Sequence, residues 1–271
     1  ATEGNAIDTG FDLSTARGAF GCSASRTRAI IAGGNAPGVS NSNDIQYFEM
    51  TSLSNSIDFG DLTTTMAESG AHSNNVRFLI AGAASNANNV INFLTVASTG
   101  SAQDFGDTLS NLSSVTACGS PTRALWGSGI GGSSPYPALN NIEFVTIAST
   151  GNSQDFGDYS RYRYAPAHTG NSVRGIIAGG YTPSAQSDID YYTIATLGNT
   201  VDFGGDLATA SGSAMGGASD PTRACFFGLT TNSNVIQYIQ IASTGIDGSD
   251  FGDLTGVCTN IGDLSNTHGG L

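Results

Sequence analysis

The chain has 271 residues, 39% of them apolar and only 11% charged, and 22 acids against 9 basic residues give it a net charge of −13. That balance repels phosphate backbones and argues against nucleic acid as a partner; no apolar run approaches the ~18 residues of a membrane span, and the apolar share is too high for a disordered chain. Every basic residue is Arg, so solubility falls to Ser, Thr, Asn, Gly and the acidic excess, which suits a robust extracellular or particle-borne protein.

The chain opens on a terminal segment, 1–13, that holds a degenerate Asp-x-Gly-x-Asp from Asp8 to Asp12. A first unit follows over about 14–62, in which short β-branched and aromatic runs predict four strands, a to d, at roughly 16–23, 27–33, 44–52 and 55–60. Three markers then recur. Asp-Phe-Gly-Asp stands at 58–61, 104–107, 155–158 and 250–253, with a one-Gly insertion at 202–206. An Arg opening a short apolar run stands at Arg28, Arg77, Arg123, Arg174 and Arg223, and Ile-x-Tyr/Phe begins at Ile45, Ile91, Ile142, Ile189 and Ile236.

The markers divide the rest into units of about 63–108, 109–158, 159–206 and 207–253, before a terminal segment 254–271. In the third c strand, Ile142, Phe144 and Thr146 share one face and Val145 and Ile147 the other, so both faces are largely apolar and the sheet must be sandwiched. Four antiparallel strands in about 48 residues is the length of a propeller blade, and a ring leaves no apolar face uncovered at an end. The reading is an all-β, single-domain, five-bladed β-propeller over 1–271. Segments of d and a type occur a sixth time, at 5–12 and 255–260, and are expected to close the ring or to reach a neighbouring subunit.

Ile-x-Tyr/Phe-x-x-Ile-Ala-Ser-Thr-Gly-Asn-x-x-Asp-Phe-Gly-Asp-Leu, with Thr-Arg-Ala-Ile-Ile-Ala-Gly-Gly in between, resembles the kelch-like propeller repeats of bacteriophage virion proteins, such as the tail and fibre proteins of marine and cyanobacterial phages. The resemblance covers almost the whole chain and implies a virion module present in several copies, in contact with other virion proteins or with a host-surface glycan or protein.

The repeated residues read as scaffold. Asp-Phe-Gly-Asp and its degenerate first copy hold 12 of the 22 acids, and a tight turn explains them better than calcium, which needs six or more oxygens around one point. The five repeat Arg are expected to bond acids or loop carbonyls between adjacent units. Cys22, His72, Cys118 and His168 occupy similar places in four units; a shared zinc would require equivalent positions around a ring to converge, so they read as packing residues. No metal or other cofactor is expected.

Binding is sought where the units differ. The b–c loops and d–a linkers emerge on one face, which carries the 127–141 loop with Tyr136, the loop at Tyr181, and the linker 159–164, Tyr-Ser-Arg-Tyr-Arg-Tyr, which reads as having no counterpart in the other units. Extended, it sets Arg161 and Arg163 on one side and Tyr162 and Tyr164 on the other, chemistry that suits a sugar ring and its acidic groups, or a protein hot spot. Trp126 reads as core. Most acids belong to the repeat, and the others, such as Glu68, Asp220 and Asp263, form no evident glycosidase pair, so no enzymatic activity is expected. The expected role is a non-enzymatic structural or receptor-binding module; a free lectin with one site per blade is the alternative, and a propeller glycoside hydrolase ranks below it.

Overall fold

Short runs of β-branched and aromatic residues, punctuated by Gly, Ser and Asn, do form strands, and the described residues contain no helix. The computed structural model describes residues 3–52, 54–83, 88–131, 138–212, 215–228 and 233–258.

The first unit holds β1 (Gly21–Ala24), β2 (Arg28–Ala32), β3 (Ser42–Glu49) and β4 (Ile57–Met66), and the second β5 (Gly70–Ser73), β6 (Arg77–Ala81), β7 (Val90–Thr95) and β8 (Gln103–Asp107). The third adds a two-residue strand, β9 (Leu112–Ser113), ahead of β10 (Thr116–Gly119), β11 (Arg123–Gly131), β12 (Ala138–Thr146) and β13 (Gln154–Asp158). The fourth holds β14 (Ala167–Gly170), β15 (Arg174–Ala178), β16 (Gln186–Thr193) and β17 (Val201–Ser211), and the fifth β18 (Gly216–Ser219), β19 (Arg223–Phe227), β20 (Val235–Gln240) and β21 (Ser249–Asp253). Each unit is one antiparallel sheet with its four strands in chain order, β9 pairing with β11 beside the third. The predicted strand at 255–260 does not form over 255–258, and 259–260 lie outside the described residues.

The first strands of successive units adjoin in the order β1, β5, β10, β14, β18, and no comparable contact joins β18 back to β1. A closed five-membered ring is therefore not found. Neighbouring units are tied in three ways. Apolar side chains interlock between sheets: Ile30, Ile45 and Phe59 with Phe78, Leu94 and Val96 across units one and two, and Leu79, Ile91 and Phe105 with Trp126, Val145 and Ile147 across units two and three. The same packing recurs between units three and four and between four and five.

Second, the turn before each fourth strand lies on the Asp-Phe-Gly-Asp of the preceding unit. Gly100 N donates to Phe59 O, Gly151 N to Phe105 O, Gly198 N to Phe156 O and Gly245 N to Phe203 O, all at 2.7–2.8 Å. Third, each repeat Arg stacks on the aromatic of its own Ile-x-Tyr/Phe, and the first four donate to the carbonyl just past the third strand of the next unit: Arg28 to Val96, Arg77 to Ile147, Arg123 to Ile194 and Arg174 to Ile241. Between units, then, the Arg bond carbonyls; among the described residues, Arg28 alone of the five also pairs with an acid, Glu49 of its own sheet.

Candidate functional site

The middle residue of each Ile-x-Tyr/Phe decides how the linker into its own unit is held. Gln46, Asn92, Glu143, Asp190 and Gln237 are all buried between apolar neighbours, where a polar group must find partners. Asn92 Oδ1 accepts from Thr63 N, Glu143 from Leu109 N and from the Ser153 hydroxyl, and Gln237 Oε1 from Ala208 N. Burial pushes the Glu143 carboxyl above its ordinary range against these bonds. The sequence carried this signal, since the middle residue is polar in all five copies, but the apolar alternation around it drew attention to the core.

In the fourth unit the buried residue is Asp190, and it decides the fate of the Tyr-Ser-Arg-Tyr-Arg-Tyr linker. Arg163 is 0% exposed, pairs with Asp190 at 2.6 Å and donates to Gly179 O at 3.2 Å, while the Ser160 hydroxyl donates to the same Asp190 oxygen at 2.6 Å. Burial lowers the Arg163 pKa and raises that of Asp190, so the charges are held by their mutual attraction and their hydrogen bonds. Arg163 thus has no guanidinium to offer an external ligand. Nor is it without a counterpart: Arg17, also buried, pairs with Asp44 and donates to Gly33 O in the first unit.

Arg161 faces the same strand two residues nearer its start. It pairs with Asp188 at 2.7 Å and donates to Gln186 Oε1 at 2.9 Å, with its side chain 48% exposed. Tyr162 projects outward at 58% exposure. Tyr164 meets Tyr181 of the b–c loop: their backbones form a bridge, with Tyr181 N donating to Tyr164 O at 3.0 Å, and their rings lie 5.4 Å apart and tilted by 47°. Burial and the neighbouring ring raise the Tyr164 pKa. Four of the six residues singled out in the sequence, Arg161, Tyr162, Tyr164 and Tyr181, therefore belong to adjoining segments of one unit; Arg163 lies beneath them, and Tyr136 lies outside the described residues.

The same backbone bridge is made elsewhere by other residue types. Gly18 meets Asn35 in the first unit, and Ser113 meets Ile130 in the third. The frame repeats, and the paired aromatic rings belong to the fourth unit among the described residues.

The remaining candidates take structural places. Trp126 is fully buried and its Nε1 donates to Gly70 O. His72 and His168 are buried, with ring nitrogens against Ser120 O and the Tyr192 hydroxyl. Cys22 and Cys118 are buried and Cys258 is exposed. Among the described residues no group of three or more His, Cys, Asp or Glu is arranged to hold a metal ion. Glu68 accepts from the hydroxyls of Ser113 and Ser114, Asp220 caps the turn before Arg223, and Asp263 lies outside the described residues. No described helix is long and apolar enough to cross a membrane. Comparison with protein-family models and with curated proteins returns no match.

Proposed function

We propose that the protein is a non-enzymatic attachment module of a phage virion, a propeller-like array of sheets that presents a binding surface to a host glycan or to another protein. The observation that carries this reading is the surface of the fourth unit, where Tyr162, the Tyr164–Tyr181 pair and Arg161 stand on a rigid frame. Aromatic faces stack on the apolar faces of sugar rings, and a half-exposed guanidinium held by the Asp188 carboxylate and the Gln186 amide oxygen is oriented for an acidic or hydroxyl-rich ligand. The kelch-like phage resemblance of the repeat supplies the virion setting.

Glycan-array binding by the purified chain, followed by titration of the best ligand, tests it. Tyr162→Ala and Tyr164→Ala are each expected to weaken binding about tenfold, the loss of one well-placed aromatic contact. Tyr162→Ala should leave the melting temperature nearly unchanged, because that ring touches solvent. One ligand per chain is expected, since the bridge positions of units one and three carry Gly18, Asn35, Ser113 and Ile130 in place of the ring pair. Five equivalent ligands per chain would favour a lectin instead, and binding indifferent to both Tyr variants would remove this surface from the function.

A further inference from the structure

The strand β17 sets the ligand chemistry that the exposed side of the fourth unit can accept. Just past its end, a Cβ on Gly212 would stand 2.7 Å from Tyr181 Cδ2, so the Tyr181 ring lies against bare backbone. Nearer its middle, Asp206 stands opposite Asp188 of β16, the carboxylate that holds Arg161. Asp247 of the fifth unit joins them, its Oδ1 accepting from Asp206 N at 3.0 Å. Arg161, one position before Tyr162, therefore links the aromatic residues to a row of acids.

That row is not balanced. Arg163 is taken up by Asp190 in the interior, which leaves Arg161, among the described residues, as the cation facing Asp188, Asp206, Asp202 and Asp247. Partial burial, then the Asp188, Asp247 and Asp202 carboxylates, raise the Asp206 pKa, and Arg161 acts against them. The other units are built differently at this place. Asp107, Asp158 and Asp253 stand opposite Val90, Asn141 and Val235. Unit one does set Asp44 opposite Asp61, but its Arg17 side chain is only 2% exposed and its bridge joins Gly18 to Asn35 without a ring pair.

We propose that this surface takes an uncharged, hydroxyl-rich sugar and turns away acidic ones, with Asp188 and Arg161 reading two adjacent ring hydroxyls. The inference rests on the attachment role given to the surface above. An ionised carboxylate only accepts hydrogen bonds and a guanidinium only donates them. Held together at 2.7 Å, with side chains 29% and 48% exposed, Asp188 and Arg161 offer an acceptor and a donor side by side. Neighbouring hydroxyls satisfy both at once, one donating to Asp188 and the other accepting from Arg161, while the tyrosine rings cover an apolar face of the sugar. An anionic group in the same place would have to displace Asp188 from Arg161 and would then face Asp206, Asp202 and Asp247. A cationic ligand meets the opposite obstacle, because Arg161 already holds the Asp188 carboxylate.

The probes are pairs of oligosaccharides that differ only at C6 of the terminal ring, a hydroxymethyl group in one and a carboxylate in the other: glucoside against glucuronide, galactoside against galacturonide, mannoside against mannuronide. Each is titrated into the full 271-residue protein. In at least one pair the neutral member should bind about tenfold more tightly than the acidic one, and the gap should narrow as ionic strength rises and screens exposed charge. Asp206→Asn should raise the affinity for the acidic member about threefold, the loss of one exposed like-charge contact. Asp188→Asn should lower the affinity for the neutral member about tenfold, since a charged acceptor is lost, and should favour the acidic member by freeing Arg161. Equal or tighter binding of the acidic members that depends on Tyr162 overturns this inference and leaves the attachment reading standing. Discrimination unchanged in both Asp variants also overturns it. Absence of binding to every pair overturns it as well, and the glycan array with the Tyr162 and Tyr164 variants then decides the attachment reading separately.

Discussion

His168 in β14 has its ring between Tyr159 and Tyr192, with Nε2 2.7 Å from the Tyr192 hydroxyl. Full burial holds its pKa down to about 4, so the folded chain keeps the ring neutral where an unfolded chain, near 6.5, would protonate it. The unfolded state therefore binds the extra proton between these values, and stability must fall as pH falls from about 6.5 to about 4. The full loss is on the order of 3 kcal/mol. Glu143 and Asp190, whose folded pKa values are raised, contribute with the opposite sign, because the folded state takes up their protons first as pH falls. His168→Asn leaves those two terms in place. Urea unfolding at pH 7, 5.5 and 4 should show wild type losing its advantage over His168→Asn as the pH drops; a constant difference would mean that His168 does not stay neutral in the fold.

At the scale of the element, the Asp-Phe-Gly-Asp turn shows why each of its residues recurs. Asp104 Oδ1 accepts from Gly106 N at 3.0 Å, Phe105 is buried edge-on against Phe93, and Gly106 has φ +147°. A Cβ on Gly106 would stand 2.4 Å from Gly151 O, the turn of the next unit, whereas one on Gly151, with φ +154°, meets nothing within 4 Å. Gly106→Ala should therefore destabilise by about 3 kcal/mol through strain and collision together, and Gly151→Ala by about 1 kcal/mol through strain alone. Denaturant titration of the two variants separates the terms. This element and the four-strand unit were legible in the sequence because each repeated residue meets a local demand that returns in every copy. The Arg161–Arg163 linker was legible only in part: alternation puts both Arg on one side, but Asp188 at the rim and Asp190 in the interior determine that one stays exposed and the other is buried. The neighbour of unit five was not legible, since a count of strands does not say that residues 3–12 stand between units five and one, where Gly4 N donates to Phe251 O and Asp12 O accepts from Ser56 N.

Across the whole molecule, stability is distributed as in a linear array, because each sheet buries its faces only against the sheets beside it. The four interlocking clusters cover both faces of units two, three and four but one face each of units one and five. Unit five should open most readily: its outward wall has Cys225, Phe227 and Phe251 partly exposed, and Arg223 lacks the bond that ties each earlier unit to its successor. Native-state hydrogen exchange should then rank the second strands, with β6, β11 and β15 exchanging slowest and β2 and β19 fastest. Uniform protection across all five would mean that the whole array unfolds as one unit and that the uncovered faces cost little.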